Sequence, residues 1–200
     1  MKPTNKTMKR LSLYLFLILF TLHTPSQAED IRDLQIEGMS IGDSLLDYFS
    51  EEVIKKGKEN YYKDNEFSTF ELDLPESKVY DGLQVLYKTN DKKYIIYSIS
   101  GAVDCTNDFT VCKKAWEKIV PDLVELFEAD AVINDKGTYN HSADKSGKSK
   151  VTQIDFDFNS GDRVNVEMTD WSKKIGYIDN LRVNIDTKEI VEWLNTQAYK

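Results

Sequence analysis

The stretch GAVDCTNDFTVCKKAW, residues 101–116, joins a predicted strand to a predicted helix near the middle of the chain and contains both of its cysteines. Cys105 follows the apolar run YIIYSISGAV, and Cys112 falls in the first turn of a helix that we expect to begin near Phe109. Three chemistries are open to this pair: a disulfide, a zinc site or a redox-active thiol. The choice depends on the compartment in which the chain folds.

Residues 1–28 have the three parts of a secretory signal peptide. Positive charges precede the apolar run LSLYLFLILFTL, which leads to the small-residue exit SQA. That run, Leu11 to Leu22, is too short for a membrane-spanning helix, which needs about 20 apolar residues. We therefore expect a mature chain that begins at Glu29, is periplasmic or secreted, and has no transmembrane segment after cleavage. An uncleaved N-terminal anchor is the alternative.

The charge of the chain limits its partners. Residues 1–28 carry four positive charges and no negative one, so their removal changes the net charge from −8 to −12. Nucleic acids and anionic membranes are bound chiefly through lysine and arginine, and an acidic surface repels both. The sequence therefore predicts an unknown protein or a small ligand of the cell envelope as partner, and no nucleic acid.

An oxidising compartment favours a disulfide between Cys105 and Cys112. A zinc site needs about four ligands, and besides these two cysteines the mature chain offers His141. The six residues between the cysteines do not match the C-x-x-C redox spacing, although a cysteine at a helix start has a lowered thiol pKa. We therefore predict a disulfide that links the end of a strand to the start of a helix.

Periodicity predicts an α+β fold with two helix-plus-three-strand antiparallel meander units, their helices on one face of the sheet, and a C-terminal helix. The units span residues 36–101 and 108–186 of a single domain, residues 29–200, and are joined through the region of Cys105 and Cys112. The predicted elements, in order, are a helix from Ser40, strands FELDL, LQVLYK and YIIYSIS, a helix over 109–129, strands IDFDF, RVNVEM and IDNLRVNI, and a helix after the capping box DTKE. The halves share no residue motif, so duplication and coincidence both stay open.

Two further local features can be predicted. Pro121 is expected to kink or split the 109–129 helix, because proline lacks the N–H and crowds the carbonyl four residues back. Residues 134–150 are rich in lysine, serine and glycine and have no hydrophobic period, which indicates an exposed, mobile loop. His141 lies in that segment and is expected to be solvated.

Two stretches of the N-terminal half carry a resemblance. The run IEGMSIGDSLLDYFSEEVIKK, residues 36–56, followed by YDGLQVLYKTNDKKYIIYSISG, residues 80–101, resembles a group of uncharacterised exported bacterial proteins. The opening is also similar to the helix-then-three-strand modules of the SmpA/OmlA and β-lactamase-inhibitor-like proteins. Those relatives are adaptor or inhibitor modules, so the resemblance implies binding rather than catalysis. No catalytic motif is matched, so no functional residue carries over.

The best carboxylate cluster lies in DFDFNSGDRVNVE, residues 155–167. A calcium loop would need glycine one place before Gly161 and glutamate one place before Glu167, so a hairpin explains these residues better. We expect Phe158 opposite Val164 and Asp155 opposite Glu167, with Arg182 on the next strand neutralising the two charges.

A metal site is the alternative explanation of the same carboxylates. A divalent cation such as Ca²⁺, bound by Asp155, Asp157 and Glu167, would neutralise them in place of Arg182. No other cofactor is predicted.

The other candidate surface is aromatic. Tyr87, Tyr94 and Tyr97 fall in the first predicted meander, where YIIYSI has apolar side chains on both faces. If one face stays uncovered, these tyrosines form an apolar patch of the kind that binds partners, and if both are covered they belong to the core.

The sequence has no nucleophile elbow, P-loop or dinucleotide-binding motif. We therefore expect an exported binding protein rather than an enzyme, with Tyr87, Tyr94 and Tyr97 as its contact residues. The alternatives are a small secreted hydrolase that works through carboxylates such as Asp155, a calcium-binding protein, and a structural envelope protein without a specific ligand.

Overall fold

The computed structural model describes residues 31–200, so the predicted signal peptide, residues 1–28, lies outside the described residues. Within them, eight strands form one antiparallel sheet in the order β1-β2-β3-β4-β8-β7-β6-β5. The strands are β1 (Lys58–Glu59), β2 (Phe67–Asp73), β3 (Gly82–Lys88), β4 (Ser98–Asp104), β5 (Ala131–Asn140), β6 (Lys150–Phe158), β7 (Arg163–Asp170) and β8 (Asn180–Asp186). The helices are α1 (Glu51–Lys56), α2 (Thr110–Phe127) and α3 (Lys188–Thr196), with 3₁₀ turns at Ile31–Asp33 and Leu45–Asp47.

The prediction of two helix-plus-three-strand units is wrong, because the chain forms one sheet-dominated fold of two four-strand meanders. Strands β1–β4 precede α2 and strands β5–β8 follow it. The last strand of each meander lies at the centre, where β4 pairs with β8 from Ser98↔Asp186 to Asp104↔Asn180. The eight strands therefore form one continuous hydrogen-bonded sheet.

The helices also cover both faces of the sheet, which corrects the prediction that they pack on one. Phe70 and Phe67 of β2 are three residues apart and so point to opposite faces. The Phe70 ring packs on Phe49 of the N-terminal segment, with centroids 5.2 Å apart. The Phe67 ring packs at 5.0 Å on Trp193 of α3.

The main core lies on the Phe70 face, between the sheet, the N-terminal segment and α2. Phe127 at the end of α2 packs edge-on against Phe156 and Phe158 of β6, at 5.5 and 5.2 Å between centroids. Pro121 lies on the exposed side of α2, which continues through it from Thr110 to Phe127, so the predicted split does not occur. Three rings in edge contact and the buried alternate residues of β6 hold α2 to the sheet.

The helix predicted from Ser40 is not formed, although its apolar spacing suggested one. The Asp43 carboxylate accepts the Ser40 N–H at 2.9 Å, as a capping box requires. Gly42, however, has φ +93°, a left-handed conformation that ends the turn before a helix can propagate. Helix α1 instead starts after Ser50, whose side chain accepts the Val53 N–H.

Strand β5 replaces the first part of the loop predicted over 134–150. It is an edge strand whose residues are largely exposed on both sides, so its sequence, AVINDKGTYN, lacks hydrophobic alternation. Its register with β6 shifts between Asp135 and Gly137, where Gly137 has φ +63°. The bulge breaks what little periodicity the strand has.

The predicted disulfide is confirmed. Cys105 and Cys112 are joined, with a Cα–Cα distance of 5.8 Å, and both are buried. The bond links the end of β4 to the first turn of α2, where the sequence placed it. In residues 31–200, no helix is both long enough and apolar enough to cross a membrane.

Candidate functional site

The three tyrosines predicted to form one contact surface are divided between the two hydrophobic clusters. Tyr87 is only 3% exposed in the main core, and its ring lies 5.2 Å from that of Tyr94. The Tyr94 hydroxyl donates to Glu51 at 3.0 Å. Tyr97 packs instead on Phe67 in the cluster under α3. They do not form one exposed patch, and their role in binding stays a prediction.

The predicted hairpin has the correct face but the wrong register. Ile154, Phe156 and Phe158 are buried together with Val164 and Val166, as expected. Phe156 and not Phe158 lies opposite Val164, however, so Asp155 faces Asn165 rather than Glu167. The tight turn at Gly161, with φ +93°, gives the loop its actual length.

Arg163 forms ion pairs with the two aspartates of β6. Its Nε donates to the Asp157 carboxylate at 2.6 Å, and its guanidinium lies 3.8 Å from an Asp155 oxygen. Asp155 is only 1% exposed, and Lys136 of β5 approaches the same Asp155 oxygen at 3.7 Å. Across the described part of the chain, no three histidine, cysteine, aspartate or glutamate side chains converge as metal ligands. Both aspartates are thus neutralised by protein cations, whereas Glu167 lies apart from them.

Asp186 of β8 is a third carboxylate beside Arg163, which is its register partner. It is buried and accepts a hydrogen bond from the Ser98 hydroxyl at 2.5 Å. Burial raises the pKa of Asp186 to about 6, while the Ser98 hydrogen bond and the Arg163 charge oppose the rise. The pKa of this carboxyl is therefore well above its ordinary value, but the group lies below the surface.

Polar side chains continue across the sheet face opposite the main core. One register row of this face crosses seven strands: Glu71, Gln84, Ser100, Asn184, Asn165, Asp155 and Asn134. Within it, the Ser100 hydroxyl donates to Asn184, whose amide donates to Asn165. The alternation of strands β6–β8 thus places apolar residues on one face and a hydrogen-bonded polar layer on the other.

A cleft of about 500 Å³ opens on this polar face, beyond the end of α3. Its lining residues are Tyr139, His141, Ser142, Ala143, Val151, Glu167 and Tyr199. Tyr139 and Tyr199 are 41% and 65% exposed, and Glu167 is half-buried. Two aromatic rings, an apolar floor at Val151 and one carboxylate therefore meet in one concave surface.

The loop wall of the cleft is ordered, contrary to the mobile loop predicted for residues 134–150. Asp144 accepts hydrogen bonds from the Ser146 and Ser149 N–H groups at 2.8 and 2.9 Å and from the Ser149 hydroxyl at 2.7 Å. These hydrogen bonds lower the pKa of the Asp144 carboxyl, so it stays charged and keeps the loop closed.

His141 is part of the same wall and is not solvated on all sides. Its ring packs at a tilt on Trp171, with centroids 4.2 Å apart, and its Nδ1 accepts the Ala143 N–H at 3.1 Å. His141 and the adjacent Ser142 line the cleft, yet no hydrogen bond joins their side chains in the described residues. The nucleophile–base pair of a hydrolase is not formed here.

The opposite wall is held by the C-terminal tail. The Ala198 carbonyl accepts the N–H of Lys63 at 3.0 Å, and the Tyr199 ring packs edge-on against Tyr62 at 5.4 Å. Tyr62 in turn packs on Trp193 of α3 at 4.7 Å. Sequence reasoning missed this site, because residues 139–143, 151, 167 and 199 come from four separate segments and carry no common motif.

A smaller cavity, of about 240 Å³, lies between the 58–65 segment and β2, with Thr89 at one end. Thr69 lines it and is only 1% exposed. The Thr69 hydroxyl is buried and has no hydrogen-bond partner among the described residues. A buried hydroxyl that is left without any partner costs stability.

The two sequence stretches that resemble exported bacterial proteins, residues 36–56 and 80–101, lie next to the main core rather than at the cleft. The first includes α1, and the second includes β3 and the start of β4. That resemblance and the one to SmpA/OmlA and β-lactamase-inhibitor-like modules stay predictions. No protein-family model, no curated protein and no solved structure gives a significant match to this chain.

Proposed function

We propose that this chain is an exported, non-enzymatic binding protein of the bacterial cell envelope that holds a small ligand in the cleft beside Glu167. The observation that carries the proposal is the cleft of about 500 Å³ on the polar sheet face, whose described lining includes two exposed tyrosines and no helix residue. Clefts of this size, with aromatic walls and a few polar groups, are the usual form of small-ligand sites.

The rigidity of the walls supports binding. Hydrogen bonds close the 141–149 loop around Asp144, and ring contacts hold Tyr199 against Tyr62. A site whose walls are already ordered loses little conformational entropy when a ligand enters. The disulfide between Cys105 and Cys112 supports export, because such bonds persist in oxidising compartments.

The contacts of the carboxyl groups favour a binding protein over a hydrolase that works through carboxylates. Acid–base catalysis needs two carboxyl groups that reach one substrate, one of them with a raised pKa. Asp186 has the raised pKa, but it is buried and held by Ser98. Asp155 is buried beneath Lys136 and Arg163. Neither lines the cleft, where Glu167 is the single carboxylate among residues 31–200.

A plug variant tests the proposal. Ala143 is exposed at the cleft wall, and Ala143→Trp would fill part of the space. Ala129→Trp is the matched control, because Ala129 is exposed after the end of α2 and lines no part of the cleft. Thermal unfolding of the three proteins would be measured with panels of amines, saccharides and short peptides.

Binding in the cleft predicts that at least one probe class raises the Tm of the wild type and of Ala129→Trp, and that Ala143→Trp loses this rise. Stabilisation that survives in Ala143→Trp would place the site elsewhere. A panel in which no probe stabilises the wild-type protein would contradict the proposal.

A further inference from the structure

Glu167 lines the cleft and, unlike the two aspartates of β6, has no cationic partner among the residues that the structure describes. Asp155 and Asp157 are paired with Arg163. Glu167 accepts a hydrogen bond from the Thr169 hydroxyl at 3.1 Å, but within residues 31–200 it forms no ion pair shorter than 4 Å. A half-buried carboxylate without a cationic partner is costly, unless a ligand supplies the cation.

The cation nearest to Glu167 in the sheet register does not neutralise its carboxylate. Arg182 of β8 is the register partner of Glu167, yet its guanidinium donates to the Gln84 side chain at 3.3 Å. On the other side of Glu167, its register partner on β6 is the neutral Gln153. The charge of Glu167 therefore remains available at the cleft.

Two aromatic rings line the cleft together with this carboxylate. The Tyr139 hydroxyl donates to Gln153, which fixes that ring, and Tyr199 is fixed by Tyr62. Burial raises the pKa of both cleft phenols, and the nearby charge of Glu167 raises it further. Both rings stay neutral at physiological pH and keep the electron-rich faces that attract cations.

We infer that the cleft binds a small organic cation, with the ammonium group at Glu167 between Tyr139 and Tyr199 and an apolar remainder along Val151 and Ala143. This inference rests on the proposed function and names its ligand class. Aromatic rings around a carboxylate are suited to an ammonium ion, because the rings replace water while the carboxylate supplies the opposite charge. Val151, which is buried at the floor, offers no polar group to the rest of the ligand.

Isothermal titration calorimetry with choline tests the inference. Its neutral isostere, 3,3-dimethylbutan-1-ol, has the same shape without the charge, and Nα-acetyl-lysine amide tests a primary amine. Hexyltrimethylammonium adds an apolar chain and is expected to bind roughly tenfold tighter than choline, since two buried CH₂ groups already contribute that factor.

The decisive comparison is between Glu167→Gln and Glu128→Gln. Glu128 is exposed after α2 and outside the cleft, so its substitution is a control for net charge. We expect Glu167→Gln to weaken choline binding at least tenfold and Glu128→Gln to leave it unchanged. We also expect the wild-type protein to bind the neutral isostere no more tightly than the Glu167→Gln variant binds choline. Binding of the lysine amide as well would extend the class to primary amines.

Three results would overturn the inference: no binding of any ammonium probe, equal binding of choline and its isostere, or unchanged binding by Glu167→Gln. If saccharides or peptides stabilise the wild type but not Ala143→Trp while the ammonium probes fail, the ligand class is wrong and the proposed function stands. If every probe fails, both are wrong.

Discussion

One buried carboxyl, that of Asp186, should make the fold less stable as the pH rises from about 4 to about 6. Burial raises the pKa of Asp186 from its ordinary 3.8 to about 6, so the folded state keeps a proton that the unfolded chain releases. The contribution of this group is complete below pH 3.8 and is lost as the pH rises through about 6. The full shift corresponds to about 3 kcal/mol, at about 1.4 kcal/mol per unit of pKa.

Asp186→Asn removes this titration but keeps the acceptor for the Ser98 hydroxyl. Between pH 4.5 and 7.5, the free energy of unfolding of the wild-type protein is expected to fall by about 2 kcal/mol more than that of the variant. This is less than the full effect of about 3 kcal/mol, because part of the unfolded-state titration lies below pH 4.5. For a domain of this size, the expected difference is roughly 4–8 °C in Tm. Asp186→Asn is therefore expected to gain in Tm relative to wild type as the pH rises.

The measurement is thermal or urea unfolding of both proteins at pH 4.5, 6.0 and 7.5. Other titrating groups are common to both and cancel in the difference between them. The reasoning would be refuted if the Tm difference between variant and wild type stayed constant over this range. It would also be refuted if the difference moved in favour of wild type, since Asp186 would then be charged and stabilising, with Arg163 as the dominant influence on it.

Three further predictions concern stability. Reduction, or Cys105→Ser with Cys112→Ser, should cost about 2.5 kcal/mol, from loop closure entropy, and lower the Tm by roughly 5–10 °C in differential scanning calorimetry; an unchanged Tm would mean that the link does not constrain the unfolded chain. Thr69→Val should raise the free energy of unfolding in urea by about 1 kcal/mol, because it removes a buried hydroxyl without a partner; a loss would indicate that an ordered water satisfies that hydroxyl. Phe127→Ala should cost about 3–5 kcal/mol in the same assay by opening a cavity between α2 and β6; a cost below 1 kcal/mol would contradict the role of this ring in joining helix and sheet.

Much of the local structure could be predicted from the sequence, where one face of an element is buried. Strands β3, β6, β7 and β8 have apolar residues at alternate positions, and all four were predicted within a few residues of their ends. The start of α3 was predicted to within one residue: the capping box DTKE placed the N-cap at Asp186, whereas the Thr187 side chain accepts the Ile190 N–H and begins the helix. The disulfide followed from the expected compartment and from the strand-to-helix spacing.

The order of the strands in the sheet could not be predicted, because it depends on pairing between strands that are far apart in sequence. The edge strand β5 is exposed on both faces and shows no period. The turn at Gly161 shifted the hairpin register by two residues, which moved Glu167 away from Asp155. The apolar spacing at Ile41 and Leu45 was real, but it reflects an irregular segment packed on the sheet rather than a helix.

The cleft was hidden for a related reason. Tyr139 and Tyr199 lie at the end of an edge strand and in the C-terminal tail, positions at which exposed aromatic residues have no periodic signal. Glu167 was singled out as a metal ligand because of its neighbours in sequence. Its environment in the structure comes instead from residues that meet it only after the sheet forms.

The most direct test of the central claim is an NMR titration of the ¹⁵N-labelled mature protein with hexyltrimethylammonium, followed through its backbone amide shifts. The account predicts saturable shifts concentrated at residues 139–143, 151, 167 and 199, and their loss in Glu167→Gln. Absence of shifts at millimolar probe, or saturable shifts confined to residues away from these four segments, would contradict it.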